Sequence, residues 1–210
     1  MKNLSIFIIC LMIHTFGVAQ ILNDIDFISP FHEDLAAIKK NNEWAFINKD
    51  GLIVIDFRND LVSSRSEVSL HESKPGSIYY PFFKEGKCKF RKNIEGIYYY
   101  GFIDKTGKES IAPEFLNVTN FQDGYAIAMK FETRVLGSNK VLAKRMVSYK
   151  LEEYVIDTKG NLVKYIIEGR NVTPTKIGTN DIPPVFQSKM IAPHLVVIKN
   201  KNEKWDLFEF

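Results

Sequence analysis

Asn48-Lys49-Asp50-Gly51, Asp104-Lys105-Thr106-Gly107 and Asp157-Thr158-Lys159-Gly160 are three copies of one four-residue turn. Each follows a short apolar stretch: Trp44 to Ile47, Tyr100 to Ile103, and Glu153 to Ile156. An Asp or Asn side chain at the first position accepts the N–H two residues on and starts a type I turn. Glycine at the fourth position takes the left-handed conformation that closes a hairpin with a bulge. The repetition predicts one antiparallel hairpin reused along the chain, and the rest of the fold is read outward from it.

Upstream of each hairpin lies a second recurring piece, starting at Phe31-His32-Glu33-Asp34, Phe83-Lys84-Glu85-Gly86 and Phe121-Gln122-Asp123-Gly124. An aromatic residue, a polar corner and then alternating small or apolar residues describe a strand entered from a tight turn. The link to the next strand is short in the first two copies, Lys40 to Glu43 and Lys92 to Gly96. In the third copy it reads as a long arm over residues 130–153, folding back at Leu136-Gly137-Ser138-Asn139. A helix over 140–152 is the alternative, against which the β-branched Val141 and Val147 and the aromatic Tyr149 weigh. A fourth copy is incomplete, with a strand at 195–199, a polar turn from Asn200 to Lys204, and a partner strand from Trp205. A truncated last unit suits the cap of an array in which every inner unit is covered by a neighbour.

These pieces predict an all-β chain of tandem antiparallel β-meander repeats forming an open, elongated array. The units fall at 31–57, 83–115, 121–167 and 190–210. Closure into a small propeller or barrel is the alternative, which usually takes four or more blades of four strands. Residues 58–78 are rich in Ser, Glu, Lys and Arg and read as an insertion loop. Residues 168–184, with three prolines, read as a connection. Strand alternation sends Trp44 and Phe46 to one face. Tyr100 and Phe102, then Tyr154 and Ile156, and finally Trp205 and Leu207 are expected to repeat that face as the core.

The order of motifs resembles the WG repeat, also called the KWG repeat, common in bacterial envelope proteins. The second copy carries it best, with FKEG at 83–86, YGFIDKTGK at 100–108 and IAPEF at 111–115. The first has Ala45 at the family's Gly position, the third has Glu153 before Tyr154, and the fourth has Asp206 after Trp205. The resemblance covers about two thirds of the chain that follows the leader. It implies a β-rich repeat that serves as a binding or surface module, with no general catalytic activity and no family-wide functional residues.

Residues 1–19 read as a secretory signal, with Lys2 at the start, an apolar run from Ile6 to Val18, and Gly17-Val18-Ala19 before the cut. That run is shorter than the ~20 residues of a membrane span. A lipoprotein is excluded because Cys10 lies inside the run and follows Ile9. Cleavage would leave residues 20–210 as one repeat domain, placed in the periplasm or on the cell surface, with Cys88 as its single thiol and no internal disulfide. The formal charge of +3 for the whole chain falls to +2 without Lys2, and no basic run carries interleaved aromatics. Nucleic acid is not expected as a partner.

No cofactor, metal or catalytic set is expected. His32, His71 and His194 lie in different units or loops, with no His-x-His or Cys-x-x-Cys spacing. Cys88 alternates with Phe90 and reads as a small core residue. Asp104 and Asp157 hold the same turn position in separate copies, so capping explains them better than acid–base work. Ser64, Ser66 and Ser69 lack a nucleophile-elbow context. The aromatics Tyr79, Tyr80, Tyr98 and Tyr99 are the candidate ligand contacts, since consecutive rings on a strand point to opposite faces. The expected function is a non-enzymatic binding or scaffolding module of the bacterial envelope, its partner an envelope protein or a glycan. A carboxylate-dependent envelope hydrolase and a glycan-binding protein using exposed Tyr are the competing readings.

Overall fold

The computed structural model describes residues 22–64, 79–139, 144–172 and 183–210. The expected leader at 1–19, His71 and most of the expected insertion loop lie outside them. No helix among the described residues is long and apolar enough to cross a membrane. The fold is all-β, and its strands form four antiparallel sheets, none closed into a barrel.

The first sheet holds β1 (Phe27–Ile28), β2 (Ala36–Lys40), β3 (Glu43–Ile47) and β4 (Ile53–Arg58), in that order. The second holds β5 (Cys88–Ile94), β6 (Ile97–Ile103) and β7 (Glu109–Phe115). The third runs β8 (Asn117–Val118), β9 (Tyr125–Asn139), β10 (Lys144–Asp157) and β11 (Leu162–Val172). The fourth is β12 (Ser188–Ala192), β13 (Leu195–Lys199) and β14 (Trp205–Glu209).

The three Gly-closed turns connect β3 to β4, β6 to β7 and β10 to β11. In each, the first residue's side chain accepts two backbone N–H groups: Asn48 from Asp50 and Leu52, Asp104 from Thr106 and Lys108, Asp157 from Lys159 and Asn161. Gly51, Gly107 and Gly160 close the turns at φ of 77°, 82° and 85°. The upstream corners are two-residue hairpins with both residues at positive φ: Glu33-Asp34, Glu85-Gly86 and Asp123-Gly124. That is the type I′ geometry, whose twist matches the flanking strands.

Sheets stack face to face in chain order. Trp44, Phe46 and Ile55 of the first sheet pack on Cys88, Phe90 and Ile103 of the second. Tyr100, Phe102, Ile111 and Phe115 of the second pack on Ala126, Ala128, Tyr154 and Ile156 of the third. Polar contacts repeat the same step. The Glu33 carboxylate accepts the backbone N–H groups of Glu85 and, at 2.9 Å, Gly86; the Glu85 carboxylate accepts that of Gly124 at 2.8 Å. Arg58 grips Asp60 at 2.6 and 2.7 Å and donates to the Gly107 carbonyl of the next unit at 3.1 Å. The fourth unit is tied on through Glu153, buried and accepting the N–H of Gln187, the N–H of Ser188 and the Ser188 hydroxyl at 2.9, 3.0 and 2.6 Å.

Several expectations are corrected. Tyr154 and Ile156 are core residues, yet they lie on the face opposite to Trp44 and Phe46. Counting back four places from the turn, Glu153 matches Trp44 and Tyr100, so Tyr154 falls in the slot of Ala45 and Gly101. Trp205 and Leu207 are 55% and 60% exposed, and among the described residues no unit covers their face as later units cover the earlier ones. The long arm exists, but residues 136–139 continue β9 and pair with β10 through Asn139↔Lys144. Residues 136–139 are therefore strand and not the fold-back, residues 140–143 lie outside the described residues, and strand rather than helix occupies 144–152. Residues 61–64 are not a free loop: Val62 donates to the Lys89 carbonyl at 3.0 Å, and Leu61 bridges Phe90. Residues 168–172 belong to β11.

Among the described residues one buried side-chain group, the Tyr154 hydroxyl, has no hydrogen-bond partner. Burial pushes its pKa upward. A buried hydroxyl without a bond costs roughly 1–3 kcal/mol. Tyr154→Phe is therefore expected to hold or raise the melting temperature; a clear fall in a thermal melt would contradict this packing.

Candidate cavity between the second and third units

β5 brings charge to a face that is otherwise apolar. Lys89 pairs across the ladder with Phe102, and Arg91 with Tyr100, so both cations share the face that packs on the third unit. They open into a cavity of about 620 Å3 at that junction. Ser63 and Ser64 wall it from the segment beside β5, Asn117 and Asn120 from the connection to the third unit, and Tyr79, Tyr100 and Pro183 complete it. Among the described residues no carboxylate lines it. The volume sits within the ~300–1,000 Å3 of small-molecule sites.

Lys89 is the unusual member. Its ammonium donates to the Val118 carbonyl at 3.4 Å, and no described carboxylate pairs with it. Its surroundings are dry enough that burial pushes its pKa down to about 8. Arg91 lies over the Tyr98 ring, 4.2 Å from its centre. Asn117 is committed, donating to the Pro184 carbonyl and accepting the Val118 N–H.

The four Tyr expected to touch ligand are split. Tyr79 is 52% exposed at the cavity rim. Tyr80 is buried, its hydroxyl 3.1 Å from His32 Nε2, and belongs to the core between the first and second units. Tyr98 lies beneath Arg91, beside a smaller hollow lined by Asp60 and Glu109. Tyr99 is half-buried among Leu116, Met129 and Leu151. Sequence reasoning missed Lys89 and Arg91: they keep the polar phase of β5, and the signal was that this phase pairs across the ladder with the apolar Phe102 and Tyr100 of β6.

The carboxylates considered for hydrolysis are held by turns. The Thr106 hydroxyl, with the N–H groups of Thr106 and Lys108, holds Asp104 below the usual carboxylate range. At Asp157 desolvation pushes upward but is outweighed by bonds from Asn161 and Lys159. Asp60 in the smaller hollow is engaged by Arg58. His32 packs beside Tyr80 and Phe82, and His194 beside Tyr125 and Phe210. No group of three potential metal ligands occurs among the described residues.

Of the residues lining this cavity, Tyr100, Asn117 and Asn120 fall in a segment that a known family describes. A family model for the WG containing repeat matches residues 24–44 and 100–130. Over those two segments the chain carries the WG containing repeat. The matched segments end the first unit's motif at Trp44 and begin the second at Tyr100, the equivalent position counted from each turn. No curated protein and no solved structure matches the chain.

Lys89 and Cys88 give the repeat domain a defined alkaline response. Between pH ~8 and the ordinary Lys value of ~10.4, the unfolded chain holds a proton that folded Lys89 has lost, so this group's contribution to stability rises with pH. Buried Cys88 acts oppositely: burial pushes its thiol up to about 12, so above pH ~9 the unfolded chain ionises first and stability falls. Lys89→Met is expected to melt higher than the parent at pH 7, with the gap closing between pH 8 and 10. Parallel melting curves across that range would contradict the dry setting of the ammonium.

Proposed function

We propose that this WG-repeat chain is an exported, non-catalytic binding module of the bacterial cell envelope, holding its ligand in the cavity between the second and third units. The observation that carries the reading is the cavity itself, in which Ser63 and Ser64, Lys89 and Arg91, and Asn117 and Asn120, from three separated segments, converge at a stacking junction. Ligand sites favour such seams, where rigid elements present a few polar groups around a concave surface. Export rests on the leader at 1–19 and the family's common setting. Against a hydrolase stands the use of the repeated Asp residues as turn caps, while hydrolysis by carboxylates needs a facing acid and base.

The test pairs an oligosaccharide binding array with a panel of chromogenic glycosides and esters, using purified protein. Retention of at least one saccharide without turnover is expected. Turnover that Asp or Glu substitutions abolish would overturn the reading. Fractionation of producing cells checks the compartment, with the protein expected outside the cytoplasm.

A further inference from the structure

We propose that the ligand of this cavity is an acidic saccharide, a sugar bearing a carboxylate that Lys89 and Arg91 bind while Tyr79 covers the sugar ring. This rests on the binding reading above and names its ligand class. An ammonium has three donors, and Lys89 uses one on a carbonyl at 3.4 Å, long for a hydrogen bond. A lysine drawn out of water is costly unless paired, and among the described residues nothing acidic pairs with it. An anion entering the cavity supplies that missing partner. Arg91, in phase with Lys89 two residues on, adds a planar fork that matches a carboxylate.

A bare anion would leave the rest of the wall unused. Ser63, Ser64 and Asn120 line the cavity with side chains that make no hydrogen bond within the described residues. Hydroxyl and amide groups both donate and accept, which sugar hydroxyls require and an isolated phosphate does not. Tyr79 presents an exposed aromatic ring at the mouth. Aromatic rings pair an apolar face with a polar tip and suit the apolar face of a pyranose.

Isothermal titration of the purified protein with trigalacturonate, maltotriose and inorganic phosphate tests this. Trigalacturonate is expected to bind, and Lys89→Met and Arg91→Met each to weaken it about tenfold or more. Lys201→Gln, in an exposed turn, is expected to bind as the parent does. Thermal melts of each variant separate lost binding from lost folding. Trigalacturonate binding unchanged in Lys89→Met, or absent in the parent, overturns the proposal. Maltotriose bound equally well by parent and Lys89→Met leaves the binding module standing and removes the acidic ligand. Phosphate bound through Lys89 without trigalacturonate also removes the saccharide, and silence in every arm together with an empty binding array removes both readings.

Discussion

Replacing Phe102 by alanine is expected to cost about 3–5 kcal/mol and to lower the melting temperature by roughly 6–20 °C. Phe102 is buried between the second and third units, its ring 4.8 Å from that of Phe121. Truncation removes the transfer free energy of a large ring and leaves a hole that two hydrogen-bonded sheets collapse into poorly. The effect should reach beyond one sheet. In a stacked array each unit is stabilised by its neighbours, so amides of β9 and β10 should exchange faster along with those of β6. Denaturant unfolding with hydrogen exchange checks both parts. A loss below about 1 kcal/mol, with exchange changes confined to β6, would show that the sheets do not share this core.

Gly101→Ala is the second large effect, about 3 kcal/mol or more. A Cβ on Gly101 would lie 2.5 Å from the Ile111 carbonyl oxygen and 2.8 Å from backbone atoms of Ala112 and Pro113. Backbone gives way reluctantly, so a one-methyl change acts far above its size. The equivalent residue in the first unit is Ala45, buried without conflict, and the register explains why. From Phe46↔Ile55 to Trp44↔Arg58 the partner strand carries one extra residue; from Phe102↔Ile111 to Tyr100↔Phe115 it carries two. The longer bulge, holding Pro113, presses onto Gly101. Ala45→Gly, which only loosens the first unit, should cost about 1–2 kcal/mol. Equal costs for the two substitutions, measured by chemical denaturation, would contradict this account of the glycine.

The turns were legible because their chemistry is local. An Asx side chain and a glycine three residues later specify their own hydrogen bonds, and the structure repeats them three times. Faces were legible only where the count back from the turn was kept. In the third unit the aromatic Tyr154 is one place past the slot of Trp44, which Glu153 holds, four places before Asp157 as Trp44 is before Asn48. Exposure of Trp205 and Leu207 depends on whether a neighbour covers them, which alternation within one strand does not encode. The cavity was the least legible feature, since residues 63, 89, 120 and 183 share no motif and meet only when sheets stack. Its trace in sequence was Lys89 and Arg91, which share a face with Tyr100 and Phe102 where apolar residues would be expected.

Stacking is tested most directly by proton contacts between the turn glycines and the preceding sheet. In the folded protein Gly107 lies over the Ile55 side chain and Gly160 over that of Ile111, each close enough that an added Cβ would lie 3.2 and 3.0 Å from a methyl group. Nuclear Overhauser spectra of isotope-labelled protein should show cross-peaks from the Ile55 methyls to the Gly107 α-protons and from the Ile111 methyls to those of Gly160. Intact turns lacking both cross-peaks would mean that the units fold separately, and the stacked array, with the cavity it creates, would be wrong.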